Sequence, residues 1–418
     1  NDYPSQKTSL DGALFQTARQ KQVRLYVEYP GFLPGFAVPA VQTALWERGV
    51  VTPSGFLAPG LQAGRILSPH SCVFLPFSAP SPHLVLARVA GYDHTVYGLP
   101  PTTYPLLFEV APGPQNGSVL VASTKLSQVT TARYEPAPSW QSVWRSILAW
   151  VSPETEVELT WQPTVAPAYA RTANLPADAE RQALQLGINW FNRSRLLVHP
   201  SRTNAISQAA AGSGLLPAPP PDSPSGDGSL GILEGYLSRI QPDGSQLQSV
   251  AIRGDCVTES AMALAFGGYT LGNTQDSATA ARLLDYWYFV SPGCKGERAD
   301  TNHASFGLSA WGISSYAWYK GNYGDDNARV MLATMAAAAA LNEDRWDEKL
   351  LLGLLANLRT SGIYGFRGDR IDQEELTANG WEYYFRRSFI SYAPHFESYL
   401  WACYLWAYDK TGYPLFRD

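Results

Sequence analysis

The segment from Arg253 to Asp326 limits what this chain can become more than any other part of it. It contains RGDCVTESAMALA, GERADTNHASFGLSAWG and NYGDDNARVML, where charged residues stand at the mouths of stretches that otherwise read as buried helices. Asp255 and Glu259 are four residues apart and share one face of a helix. Arg298 and Asp300 precede a segment rich in small and aromatic residues, and Asp325 and Asp326 stand where a helix N-cap belongs. Carboxylates and guanidinium groups at helix entrances, with aromatic rings between them, suit a site for a polar ring such as a sugar.

Around this segment the spacing predicts helices over 255–270, 276–290, 305–319, 325–342, 345–360, 374–386 and 389–411. Their short Gly-bearing links predict antiparallel pairs whose loops gather on one face. Ahead of them, EGYLSRIQPDGSQLQSVAIRGD reads as a hairpin with Asp243-Gly244 at the turn, which brings Glu234 near Arg253 and Asp255. Residues 178–193 read as an amphipathic helix with Ala183, Leu186, Trp190 and Phe191 on one side. The run 212–231 is so rich in Pro, Gly and Ser that it is expected to be a long mobile loop.

In the N-terminal third, apolar strands starting at Arg24 and over 65–77, 83–93, 106–112 and 118–126 alternate with helix-like pieces at 10–21, 40–49 and 139–153. That alternation predicts a parallel α/β sheet. The third lacks GxGxxG and P-loop patterns, so nucleotide binding has no support. Cys72, in HSCVF, lacks the glycine-flanked turn of a nucleophilic elbow, and this domain is expected to be catalytically silent. A net charge of -5 gives no electrostatic footprint for nucleic acid. No apolar run reaches the length of a membrane span. Cys72, Cys256, Cys294 and Cys403 stand apart, which disfavours a zinc knuckle; a Cys256–Cys294 pair is left open, with buried thiols preferred.

The remaining candidates lie in loops. His303 follows Arg298 and Asp300 in ERADTNH. Arg367 and Arg370 stand in the glycine-rich GFRGDR, where paired arginines suit bidentate recognition of a carboxylate. Tyr392 and His395, in YAPHFE, open the last helix, with proline at its first position. Cleavage of a glycosidic bond needs two carboxyl groups, one protonated and one ionised. Asp255, Glu259, Asp300 and Asp325 form the expected acidic set. Glu234, Arg253, Arg298, His303, Asp326, Arg367, Arg370, Tyr392 and His395 are the expected substrate-binding set, with the arginines clamping a uronate carboxylate. Glu259 is expected either to pair with Arg253 or to line the pocket. No metal or other cofactor is expected.

These runs, with LLANLRTSGIYGFRGDR and YAPHFESYLWACYLWAY, resemble bacterial glycan-degradation proteins with an (α/α)-barrel catalytic domain. The upstream LVLARVAGYDHTVYGLP and the stretch from VLVASTKL to QSVWRSIL resemble the amidotransferase-like α/β domain that precedes such barrels. The resemblance spans roughly residues 23–415 and is to glycoside hydrolase family 154. It implies an exo-acting β-glucuronidase built as a multidomain α/β plus all-α chain. An amidotransferase-like domain would occupy 1–160, and a linker, first helix and Pro/Gly-rich loop 161–232. The (α/α)-barrel would occupy 233–418. About eight helices are too few for a complete twelve-helix toroid, so an incomplete barrel or one closed by a partner subunit is expected, and with it a homo-oligomer. The α/β domain also lacks its first expected strands, as if the natural chain began earlier. A periplasmic or extracellular location is expected. The alternatives are an unsaturated uronyl hydrolase or polysaccharide lyase using Tyr392 and His395, and a glycan-binding protein without catalysis.

Overall fold

The computed structural model describes residues 3, 10–69, 71–90, 95–110, 118–128, 134–162, 167–170, 172–238 and 243–418. The chain divides into two compact units, one of residues 1–173 with 238–246, the other of 174–237 with 247–418. The architecture is mixed α/β, 43% helical, with a curled seven-stranded sheet.

The first unit opens with α1 (Gly12–Gln20), capped by the Asp11 side chain, and β1 (Leu25–Glu28). Strands β2 (Gln42–Thr43), β3 (Arg48–Val51), β4 (Ile66–Pro69), β5 (Val73–Phe74), β6 (Leu84–Ala87), β7 (Tyr104–Val110), β8 (Val119–Ala122) and β9 (Tyr134–Glu135) follow, then α2 (Ala137–Val151). The large sheet has the order β1-β8-β7-β6-β3-β4-β9. Only β1 and β8 run parallel; the other neighbouring pairs are antiparallel, which corrects the expected parallel sheet. A parallel pair needs a crossover of a dozen or more residues, and the link from Val110 to Val119 is too short for one. The misleading signal was continuous burial: all of β6 is buried, and such runs read as parallel strands. The piece expected as a helix at 40–49 instead forms β2 and enters β3, with the Ala44 amide bonded to the Cys72 carbonyl at 2.8 Å. The ends of the strands expected at 83–93 and 106–112 (residues 91–93 and 111–112) lie outside the described residues. Trp140, Val143 and Ile147 of α2 pack under the sheet with Leu67, Leu86 and Leu107.

The second unit begins with α3 (Ala179–Arg193) and α4 (Thr203–Ala210). The buried side of α3 is Leu184, Ile188 and Phe191, at steps of four and three, while Leu186 and Trp190 are exposed. The expected face was rotated from the true one. Residues 212–231 are not a free loop. Leu215–Pro217 forms β10, which joins β11 (Gly235–Tyr236) and β12 (Leu247–Ser249) in an antiparallel sheet of order β10-β12-β11. The glycines in this run allow close packing that composition alone does not reveal. A Cβ at Gly226 would lie 2.3 Å from the Val198 carbonyl oxygen, and one at Gly231 2.5 Å from the Tyr286 ring.

Helices α5 (Gly254–Leu271) and α6 (Thr274–Asp285) follow, divided by Gly272 at φ 73° and the Asn273 cap. The helix expected over 305–319 is absent apart from α7 (Tyr316–Tyr319). Its residues Ser305–Ser315 run instead as irregular chain whose polar groups find partners elsewhere. The Ser309 amide donates to Asn327 Oδ1 at 2.8 Å, the Gly254 amide to the Trp311 carbonyl at 3.2 Å, and Gly307 takes φ 89°. Then come β13 (Gly321–Tyr323), α8 (Gly324–Leu341), α9 (Asp347–Thr360), β14 (Arg370–Asp372), α10 (Gln373–Asn379), α11 (Trp381–Arg386) and α12 (Pro394–Thr411). β13 and β14 pair antiparallel. Helices α5 and α8 pack through Val257, Ala261, Leu264, Val330 and Ala337, which lie in one buried cluster.

Gly254 fixes where this packing begins. A Cβ there would lie 2.5 Å from the buried Trp287 ring, whose indole nitrogen donates to Ser309 Oγ at 3.0 Å. Gly254→Ala is therefore expected to cost about 1–3 kcal/mol of stability. Urea unfolding checks this, and a wild-type midpoint would show that Trp287 yields freely.

Candidate functional site

Four elements meet at the N-termini of α5 and α8. Extended Arg253 precedes α5 and bridges backbone to Gly312, while β13 delivers the chain into α8, where the Gly324 amide donates to the Asp369 carbonyl at 2.9 Å. Asp255, Asp325 and Asp326 thus stand in first helical turns, where the helix dipole favours negative charge.

Arg253 ties the group together. Its Nε donates to Asp255 Oδ1 at 3.0 Å, and its Nη1 to Glu234 Oε1 at 3.2 Å. Its Nη2 donates both to Asp255 Oδ2 at 2.7 Å and to Asp326 Oδ1 at 3.0 Å, so those two carboxyl groups lie side by side. Arg329 closes the other flank, gripping both oxygens of Glu259 at 2.8 and 2.7 Å and reaching Asp255 Oδ2 at 2.9 Å. The side chains grade from floor to rim: Asp255 is 1% exposed, Asp326 8% and Glu259 38%. An aromatic wall borders the floor. The Arg253 guanidinium lies 5.5 Å from the Trp311 ring centroid, Trp311 stacks on Trp318 at 4.3 Å, and Tyr323 meets Trp311 edge-on at 5.2 Å.

Burial and the adjacent charges of Asp255 and Asp325 raise the Asp326 carboxyl to about 7, against the opposing pull of Arg253. Burial also raises Asp325, opposed in part by an amide hydrogen bond and by the charges of Arg329 and His395. Asp325 Oδ1 is buried without a hydrogen-bond partner among the described residues. The arrangement therefore sets a carboxyl group that keeps its proton near neutrality beside a second, half-buried carboxyl group that burial also raises and that has an unbonded oxygen. Such a pair can donate a proton to a leaving group and activate water. Burial pushes the Cys256 thiol up to about 12, so it is no nucleophile here.

Of the expected residues, Glu234, Arg253, Asp255, Glu259, Asp325 and Asp326 come together, and His395 lies near enough to Asp325 to act on its charge. Glu259 pairs with Arg329 and not with Arg253. Arg329 was not among the residues singled out, although its position four after Asp325 and three after Asp326 puts it on their helix face. Trp311 also went unnoticed, because it was assigned to a helix that does not form.

Other expected residues do different work. Arg298 and Arg367 are buried scaffolding around β13: Arg298 donates to Asn322 Oδ1 at 3.1 Å, and Arg367 to the Asn322 carbonyl at 3.1 and 3.2 Å. Arg370 pairs with Asp372 and lies over the Tyr323 ring. Asp300 holds a turn through the Asn302 amide at 2.9 Å, and His303 bonds Ser305 at 2.8 Å and Thr377 at 3.0 Å. Tyr392 is 91% exposed. Among the described residues none of these six side chains forms a hydrogen bond or ion pair with Asp255 or Asp326, although Arg367 feels the charge of Asp325.

Among the described residues no group of three or more His, Cys, Asp or Glu is placed to hold a metal ion, and no helix is long and apolar enough to cross a membrane. Cys256 and Cys294 are separate thiols. The chain matches no protein-family model, no curated protein and no solved structure.

Proposed function

We propose that the second unit is a glycoside hydrolase, with Asp326 as the proton donor and Asp325 as the ionised partner that activates water or attacks the sugar. Asp255, Glu259 and Arg329 position that pair, and Trp311 and Trp318 form the wall against which a sugar ring stacks. The observation carrying this reading is the Asp326 carboxyl held protonated up to about 7 beside an unbonded Asp325 oxygen. The resemblance adds the sugar, a terminal β-glucuronic acid, and the wider frame of an incomplete (α/α)-barrel with α5, α6, α8, α9 and α12 among its helices. An oligomer acting on polysaccharide-derived substrates outside the cytoplasm belongs to the same proposal.

One observation favours a second reading in which the sugar is neutral. Arg253, Arg329 and Arg370 already hold carboxylates, and Arg298 and Arg367 hold carbonyl or amide oxygens. A uronate would have to displace Glu234 or Glu259 from its arginine. Release of 4-nitrophenol from the β-glucuronide, β-glucoside and β-galactoside separates the readings. Turnover of the glucuronide alone is the expected result, and turnover of a neutral glycoside alone would replace the uronate. Silence on all three, and on uronate-bearing oligosaccharides, would end the hydrolase proposal.

A further inference from the structure

Three neighbouring strands of the first unit bring a second set of reactive groups together. β3, β6 and β7 are adjacent and antiparallel in the large sheet. Ser54 lies just after β3, His83 just before β6, and Glu109 near the end of β7. The backbone holds the first two in register: the Thr52 amide donates to the His83 carbonyl at 3.1 Å, and the His83 amide to the Leu107 carbonyl at 2.8 Å. The side chains then form a chain of contacts. Ser54 Oγ lies 3.0 Å from His83 Nδ1, and His83 Nε2 lies 3.3 Å from Glu109 Oε1.

We propose that Ser54, His83 and Glu109 form an ester-hydrolysing site, with Ser54 as nucleophile, His83 as base and Glu109 as the residue that positions the base. Accepting from Nε2–H, Glu109 fixes the tautomer whose Nδ1 lone pair faces the serine hydroxyl. The slightly long second contact is ordinary for such a set without substrate. His83 is buried and Ser54 exposed, so the base is shielded while the nucleophile is reachable. Phe56 stacks on the imidazole at 4.1 Å and 11°, fixing the ring and covering one face. The Phe56 amide lies 3.4 Å from Ser54 Oγ, and Gly55 between them takes φ 79°, a value a side chain rarely adopts. That amide donates to Ser54 Oγ itself and so helps to orient the hydroxyl. Burial lowers the His83 imidazole from its ordinary value despite Glu109, which keeps it neutral as a base must be.

The reaction balances with water as the only co-reactant. Ser54 Oγ bonds to the acyl carbon as its proton passes to His83 Nδ1. The ester C–O bond then breaks, and the departing alkoxide takes that proton. Water, deprotonated by Nδ1, attacks the acyl-serine, and the proton returns to Ser54 Oγ as the acid leaves. With Ser54 at the surface and Phe56 covering one face of the base, the class of substrate is an ester with a short acyl group such as acetyl.

The full chain, treated with a fluorophosphonate and digested, is expected to carry the phosphonyl adduct on Ser54, and to hydrolyse 4-nitrophenyl acetate. Ser54→Ala, at an exposed side chain, should lose roughly 100-fold or more of that hydrolysis. His83→Gln should lose both hydrolysis and adduct. Glu109→Gln should lower kcat about tenfold or more with KM unchanged, which a purely structural role would not do. A wild-type rate in Ser54→Ala, or labelling elsewhere with Ser54 untouched, would overturn the proposal.

Discussion

Asp326→Asn is expected to lower glycoside hydrolysis by roughly 10²–10⁴-fold, the usual share of a positioned acid, and to raise stability at pH 8. The two effects share one cause. In the folded chain burial, Asp255 and Asp325 hold the Asp326 carboxyl up to about 7, against an ordinary value of 3.8. Between those values the folded protein binds a proton that the unfolded chain has released, so this group's contribution to stability falls as pH rises. The penalty is absent below about 4 and complete above about 7. Asparagine has no charge to bury and still offers Arg253 an acceptor oxygen. The variant should therefore melt higher than wild type at pH 8 and level with it near pH 4, which thermal unfolding across that range measures. Activity of the wild type should fall as pH rises past 7. A variant that keeps its rate is incompatible with Asp326 as the acid, and one that melts lower at pH 8 is incompatible with a raised carboxyl.

The second large effect falls on stability. Asp255→Ala removes the carboxylate that both Arg253 and Arg329 share, at 2.7 and 2.9 Å, from a position 1% exposed. Breaking a buried ion pair from one side costs about 3–5 kcal/mol, because the remaining charges lose their partner in a poorly solvated place. Here the lower end applies. Arg253 keeps Glu234 and Asp326, Arg329 keeps Glu259, and loss of the Asp255 charge eases ionisation of Asp326. Urea unfolding should thus show a loss of about 3 kcal/mol, with Asp255→Asn milder. Asp255→Ala combined with Asp326→Asn should depart from additivity by about 0.5 kcal/mol or more, since the two share a partner nitrogen. An effect of Asp255→Ala near zero would mean that the cluster does not pin α5 to α8.

The surroundings of Asp255 differ from those of Asp325 and Asp326. Asp255 is enclosed by guanidinium groups and has no open side toward a substrate. Asp325 and Asp326 lie on the neighbouring helix α8, Asp325 half-buried and Asp326 with 8% of its side chain exposed, beside the more exposed Glu259, Glu234 and Arg329. Asp300, ranked with them by its place beside Arg298, serves only a local turn.

Local pattern determined a good deal. Small and apolar residues at helical spacing marked α5, α8, α9 and α12, and Asp255, Asp325 and Asp326 were legible as acidic residues at helix entrances, although none of them is the cap: Arg253 and Tyr323 hold the N-cap positions without a side-chain cap bond. The strands of the hairpin were legible, and their pairing brings Glu234 to Arg253; the turn was not, since Tyr236 pairs with Gln248 across a link longer than the expected Asp243-Gly244 turn, and residues 239–242 lie outside the described residues. Strand direction was not legible, since antiparallel and parallel strands buried on both faces show the same apolar run. Nor was the irregular stretch 305–315, whose amides and carbonyls are satisfied by Asn327, Ile252 and Gly293, residues distant in the chain. The same holds for both proposed sites. Arg329 meets Glu259 across seventy positions, and Ser54, His83 and Glu109 meet only because β3, β6 and β7 are neighbours. Sequence set which residues could carry charge at a helix mouth or a strand end. Which charges share a partner, and which carboxyl thereby keeps its proton, depended on separations of a few ångströms that only tertiary packing creates.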